Sequence, residues 1–263
     1  MKHIIGILII ALMLASCTDF IADVDRDDDW QLMVSEKVKL YYRESGKTDA
    51  PSPTRMEARA VLTNQNFYYQ VIQDSINRNY QDQVLIYLYN KDEAKEVIGT
   101  SGGGHSLPRF LSIYYTFIWN IPAYTDHYGI EDPFLGAHEM VHVISHQLLG
   151  LPGTKMMSEG YAVWIDGSYA RHDIAEIMVH YRDEKPESLM TPTQLLNESI
   201  DKESVYYPNA GMFTKYLVNN FGIERVNSLF TVSRDKFKMK FEEVTGTNWE
   251  DLEENYLTYL NNL

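Results

Sequence analysis

Residues Gly136 to Leu148 read GAHEMVHVISHQL, and this stretch limits the fold more than any other. Met140, Val141, Val143, Ile144 and Leu148 surround its polar groups, which predicts a buried apolar helix with its polar face turned to a cleft. On such a helix His138 and His142 are about 400° and roughly 6 Å apart. They leave one face together and can grip a single metal ion. Glu139 is offset by about 100°, so it reaches a water beside the ion rather than the ion.

Two histidines leave one protein ligand to find. His146 lies roughly 12 Å along the axis from His138, too far to share an ion, and reads as a polar residue on the helix rim. The better candidate is Glu159, in the stretch MMSEGYAVWIDG that follows a Gly150-Leu-Pro-Gly153 break. Met156, Ala162, Val163 and Ile165 predict a second apolar helix from near Ser158, and two helices joined by a short turn pack antiparallel. Asp166, two turns beyond Glu159, is either a partner for a ligating histidine or an alternative ligand.

HEMVH followed by SEGYAVW resembles the gluzincin zinc peptidases, the clan of thermolysin and the large aminopeptidases, and most of all the small peptidase MA-like proteins of bacterial envelopes. The resemblance implies an α+β, zincin-like fold: a small N-terminal mixed sheet with helices, the metal helix, and a mostly α-helical C-terminal half. It implies Zn²⁺ held by His138, His142 and Glu159, with Glu139 as general base on the attacking water. Tyr207, followed by Ala210 and Gly211, matches the tyrosine that donates to the oxyanion in aminopeptidase relatives; Tyr206 is the weaker candidate. Departures exist. The linker from His142 to Glu159 (residues 143–158) is a little shorter than in aminopeptidases, and Val163 stands where thermolysin-type enzymes carry Asp. The aminopeptidase G-x-M-E-N strand is absent before His138, which lowers that reading.

The expected activity is peptide-bond hydrolysis on a peptide or protein substrate. A catalytically inert zincin-like lipoprotein that binds peptide or glycan is the alternative, and a zinc hydrolase acting on another bond, such as a peptidoglycan cross-link, is a third reading.

At the start of the chain, Lys2 and His3 precede an apolar run from Ile4 to Ala15. It is too short to span a bilayer and fits a secretory segment. Leu14-Ala15-Ser16-Cys17 resembles a bacterial lipobox, which implies cleavage before Cys17 and a lipid on its sulfur. The expected organisation is a signal peptide (1–16), an acidic tether (17–30) and one domain (31–263) with an α/β part (31–150) and a helical part (151–263). The protein is then exported and lipid-anchored to the cell envelope, at the outer membrane or cell surface. Cys17 is the single cysteine, so intrachain disulfides and thiolate metal sites are excluded. A net charge of −14 argues against nucleic acid as a partner.

Strands are expected at Val38–Arg43 and Val84–Tyr89, and Phe110–Ile121 gives the strongest strand pattern. By the resemblance, that region supplies the sheet whose edge pairs with substrate. Thr54 is expected to cap a helix to about Asn77, with Met56, Ala60, Leu62, Phe67, Val71 and Ile76 inward. Lys91–Ile98 reads as a brief helix and Thr100–His105 as a loop. Asp132 and Pro133 are expected to open the metal helix. Helices follow at 173–182, 192–197 and 206–222, and a last one is capped at Thr247.

Overall fold

The computed structural model describes residues 29–44, 50–99, 103–117, 124–125, 131–132, 135–199 and 202–263. Residues 1–16, Cys17 and most of the acidic run lie outside the described residues. The chain divides into Met1–Gln31 and Leu32–Leu263, and the fold is that of the second unit. Among the described residues, no helix is long and apolar enough to cross a membrane.

The architecture is α+β, with a small mixed sheet followed by helices. Five strands, β1 (Gln31–Val34), β2 (Val38–Tyr42), β3 (Val84–Tyr89), β4 (Gly104–Leu107) and β5 (Ser112–Thr116), are ordered β1-β2-β3-β5-β4. The β2–β3 and β3–β5 pairs are parallel, and β4 runs antiparallel to β5. Parallel neighbours need a crossover, supplied by helices α1 (Arg55–Ile76) and α2 (Lys91–Ile98). Both start in capping boxes, Thr54 with Glu57 and Asn90 with Glu93, so two otherwise orphaned backbone donors are satisfied at each.

The inner face of α1 differs from the expected one. Met56 is 79% and Phe67 37% exposed, and Ile76 alone of the expected set is fully buried. The buried face is Ala58, Val61, Tyr68, Tyr69 and Ile72 with Asn64, Gln65 and Gln73 among them. Polar residues sit there because they hold backbone: Gln73 accepts from Tyr80 N at 2.6 Å, and Gln65 Nε2 donates to Gly136 O at 2.9 Å.

The Phe110–Ile121 stretch also differs. Pro108–Phe110 is a 3₁₀ turn, β5 covers only Ser112–Thr116, and residues 118–121 lie outside the described part. β5 is interior. The edge beside it is β4, whose first two residues fall in the segment expected to be a loop; β1 is the opposite edge.

Two short strands, β6 (Tyr124–Thr125) and β7 (Glu131–Asp132), pair antiparallel. Asp132 therefore belongs to a strand and does not cap the metal helix, which is α3 (His138–Leu149). Helix α4 (Lys155–Asp166) begins one turn earlier than Ser158, because Thr154 Oγ1 accepts from Met157 N at 3.1 Å. The hairpin β8 (Ser168–Tyr169) and β9 (His172–Asp173) leads to α5 (Ile174–Glu184), α6 (Pro192–Leu196), α7 (Glu203–Phe221), α8 (Ile223–Asn227), α9 (Arg234–Thr245) and α10 (Trp249–Asn261). Asn248, not Thr247, caps α10, accepting from Asp251 N at 2.8 Å.

Helices α4 and α7 cross at glycines. A Cβ on Gly160 would stand 2.3 Å from Thr214 Oγ1 and 3.0 Å from Ala210 O, and one on Gly211 would stand 2.5 Å from Val163 Cγ1. The backbones approach closely because neither residue has a side chain. Pro208 interrupts α7, and lacking an N–H it leaves the Ser204 carbonyl without its helical donor. Tyr181 fills that place, its hydroxyl donating to Ser204 O at 2.7 Å.

Candidate metal centre

His138 and His142 project from the first turns of α3, and Glu159 from α4. Their ligating atoms all lie within 4.8 Å of one another. His138 Nε2 and His142 Nε2 are 3.2 Å apart, and Glu159 Oε2 lies 3.4 Å from the first and 3.5 Å from the second. Donors bonded at about 2.0–2.1 Å to one tetrahedral ion stand about 3.3–3.4 Å apart, so the triangle has the dimensions of a three-ligand face. Glu159 Oε2 is buried without a hydrogen-bond partner among the described residues. Three lone-pair atoms facing one another are satisfied by a shared cation, and this donor set of two imidazoles and a carboxylate can hold a metal ion.

Without a metal, the electrostatics follow from the same convergence. Burial opposes the Glu159 charge, but the imidazoles of His138 and His142 outweigh it and hold the carboxyl far below its usual range. Burial pushes His138 down, and Glu159, Glu139 and Asp166 more than offset it, so its pKa is raised.

Supporting contacts come from several elements. Ser158 Oγ lies 3.3 Å from His142 Nδ1, which fixes the ring orientation and directs Nε2 to the centre. Asp166 is outside the ligand group. Its Oδ1 accepts from Ala137 N at 2.5 Å and its Oδ2 from Ser168 Oγ at 2.7 Å. From the end of α4 it thereby holds the backbone just before α3, and its charge favours the protonated form of His138. Gly136 makes this possible. Its φ is +57°, and a Cβ there would stand 2.6 Å from Asp166 Oδ1. Gln65 holds the same loop through Gly136 O. His146 is not a ligand either. Its ring packs on Phe230 with centroids 6.2 Å apart, and burial with the neighbouring His142 pushes it down to about 4.

Glu139, His138 and Tyr207 line a cavity of about 300 Å³ together with Gly104, Tyr115 and the β8–β9 hairpin. A Cβ on Gly104 would lie 2.7 Å from Glu139 Cγ, so the edge strand backs directly onto the Glu139 side chain. The two tyrosines separate clearly. Tyr206 is buried and donates to Leu195 O at 2.9 Å, a structural bond. Tyr207 lies flat beside His138, with ring centroids 6.0 Å apart and planes 18° apart. Burial, then the charges of Glu159 and Glu203, push its hydroxyl well above the ordinary phenol range, which keeps it a proton donor.

His138, His142 and Glu159 converge, and Glu139 and Tyr207 line one cavity with His138. Ser158, Gln65 and Gly104 also support this region, and the sequence reading assigns none of them to it. Ser158 precedes Glu159 directly, and a hydroxyl beside a candidate ligand was the available signal. Gln65 and Gly104 carry no local signal. No known protein-family model matches the chain, and a search of curated proteins finds no significant match.

Proposed function

We propose that the chain is a zinc-dependent hydrolase of peptide bonds with a zincin-like fold, exported and anchored through a lipid on Cys17. The observation that carries the hydrolase reading is the triangle of His138, His142 and Glu159 donor atoms, matched to tetrahedral zinc dimensions. The anchor is supported by Leu14-Ala15-Ser16-Cys17 after the apolar run.

Zinc bound there supplies a Lewis acid for the scissile carbonyl and makes a water acidic near neutral pH. The chain's own residues do the rest. Glu139, in the first turn of α3, takes the proton of the attacking water and passes it to the leaving amine. The Tyr207 hydroxyl donates to the oxyanion. The outer edge of β4 offers backbone groups to an extended peptide, which would add to the sheet as a further strand.

Metal removal tests the reading. Elemental analysis of the purified protein is expected to find one zinc per chain, and chelation to abolish peptide cleavage. At free zinc about 1,000-fold above its dissociation constant, the metal adds about 4 kcal/mol, so chelation lowers Tm by roughly 8–16 °C for a chain of this size. No bound metal with an unchanged melting curve would sink the proposal. Tyr207→Phe is expected to lower kcat about 10²–10³-fold with KM little changed. A KM increase with kcat intact assigns Tyr207 to binding instead.

A further inference from the structure

On the Glu159 side of the centre lies a second, larger cavity of about 990 Å³, lined by Lys155, Ser158, Glu159, Glu198, Arg234 and Lys238 among others. The charges in it are unequally matched. Arg234 is paired with Glu198, and Asp235 accepts from Ser233 Oγ. Lys238 Nζ donates to Thr193 Oγ1 at 3.3 Å and stands over the Trp249 ring. Lys155 has no carboxylate partner among the described residues. Its Nζ instead lies 5.1 Å from the Tyr206 ring centroid and 5.4 Å from that of Tyr207. In a chain with 37 acidic and 23 basic side chains, a half-buried lysine left to aromatic faces is out of keeping with the surplus of carboxylates. Two aromatic rings hold the cation in place without neutralising it.

Its position relates it to the reacting bond. Lys155 precedes Glu159 by one helical turn on α4, a rise of about 6 Å. It also touches the face of the tyrosine that stacks on His138. An extended peptide advances about 3.3–3.6 Å per residue, so one or two residues span the helical rise that separates Lys155 from Glu159.

We propose that Lys155 is a specificity-determining residue, seating a substrate carboxylate one or two residues from the scissile bond. The substrate class is then an acidic peptide, with the carboxylate supplied either by a free C-terminus or by an Asp or Glu side chain. The site of cleavage rests on the hydrolase reading; the carboxylate subsite does not.

Binding is measured on the zinc-loaded full chain carrying Glu139→Gln, so that peptides stay intact. Three fluorophore-labelled peptide sets share one neutral core: C-terminally amidated, with a free C-terminal carboxylate, and amidated with a Glu scanned along the core. At least one carboxylate set is expected to bind about 10-fold or more tightly than the neutral amide, and the set that does so identifies the source. Adding Lys155→Met should bring that ratio close to one, whereas Lys155→Arg should keep most of it. Equal binding of all three sets, or no binding, overturns the proposal without any variant at 155, as does a preference that survives Lys155→Met. A preference that collapses in Lys155→Met, in a protein whose parent hydrolyses none of the peptides, upholds the subsite and removes the hydrolase reading.

Discussion

Glu139→Gln is expected to lower kcat by about 10²–10⁴-fold, the usual contribution of a positioned general base, while zinc stays stoichiometric. The substitution keeps the side chain's size, so its packing against Gly104 at the edge of β4 survives. It leaves the donor triangle intact, because Glu139 is not one of the three converging residues. What it removes is a group able to accept a proton. Turnover on a peptide pool and metal content measured on the same preparation separate the possibilities. Equal turnover in wild type and variant excludes Glu139 as the base. Loss of turnover together with loss of zinc means that the residue holds the centre together and carries no proton.

The second large effect concerns folding. Gly160→Ala should lose about 1–3 kcal/mol, although helix propensity alone would favour Ala by about 1 kcal/mol. The packing term decides the sign. The new methyl would stand 2.3 Å from Thr214 Oγ1 and 3.0 Å from the Ala210 carbonyl. The first is a short side chain buried on α7 and the second is backbone, so neither yields without the helices moving apart. Glu159 precedes this contact directly, and Tyr207 stands one turn before Gly211 on the facing helix. Separation therefore loosens the centre as well as the core. Denaturant midpoints report the loss, and the double variant with Thr214→Ala should recover part of it. A stabilised Gly160→Ala would show that propensity outweighs contact here.

Much of the centre was legible because its information is local. His138, His142 and Glu139 fall within five residues, and the helix period alone puts the two rings on one face. The Gly150–Gly153 break announced the return of the chain that brings up Glu159. Strand β3 and helix α2 lie at their expected bounds, since apolar runs and capping residues mark both. The failures are non-local. The N-cap of α3 is Ala137, which has no side-chain cap, and the backbone N–H there is held by Asp166, 29 residues away, so no cap could be read beside it. The inward face of α1 carries Gln65 and Gln73, which hydrogen-bond to Gly136 and Tyr80, and polarity hid them from a hydrophobic pattern. The position of β5 inside the sheet depends on β4 folding back along it, a fact of topology.

Since His138 is the opening residue of α3, the centre sits at the positive pole of that helix, equivalent to about half an elementary charge. This field works against holding a cation and in favour of negative charge accumulating on a bound carbonyl oxygen. Asp166, hydrogen-bonded to the same pole and lining the same cavity as Glu139 and Tyr207, moderates both effects.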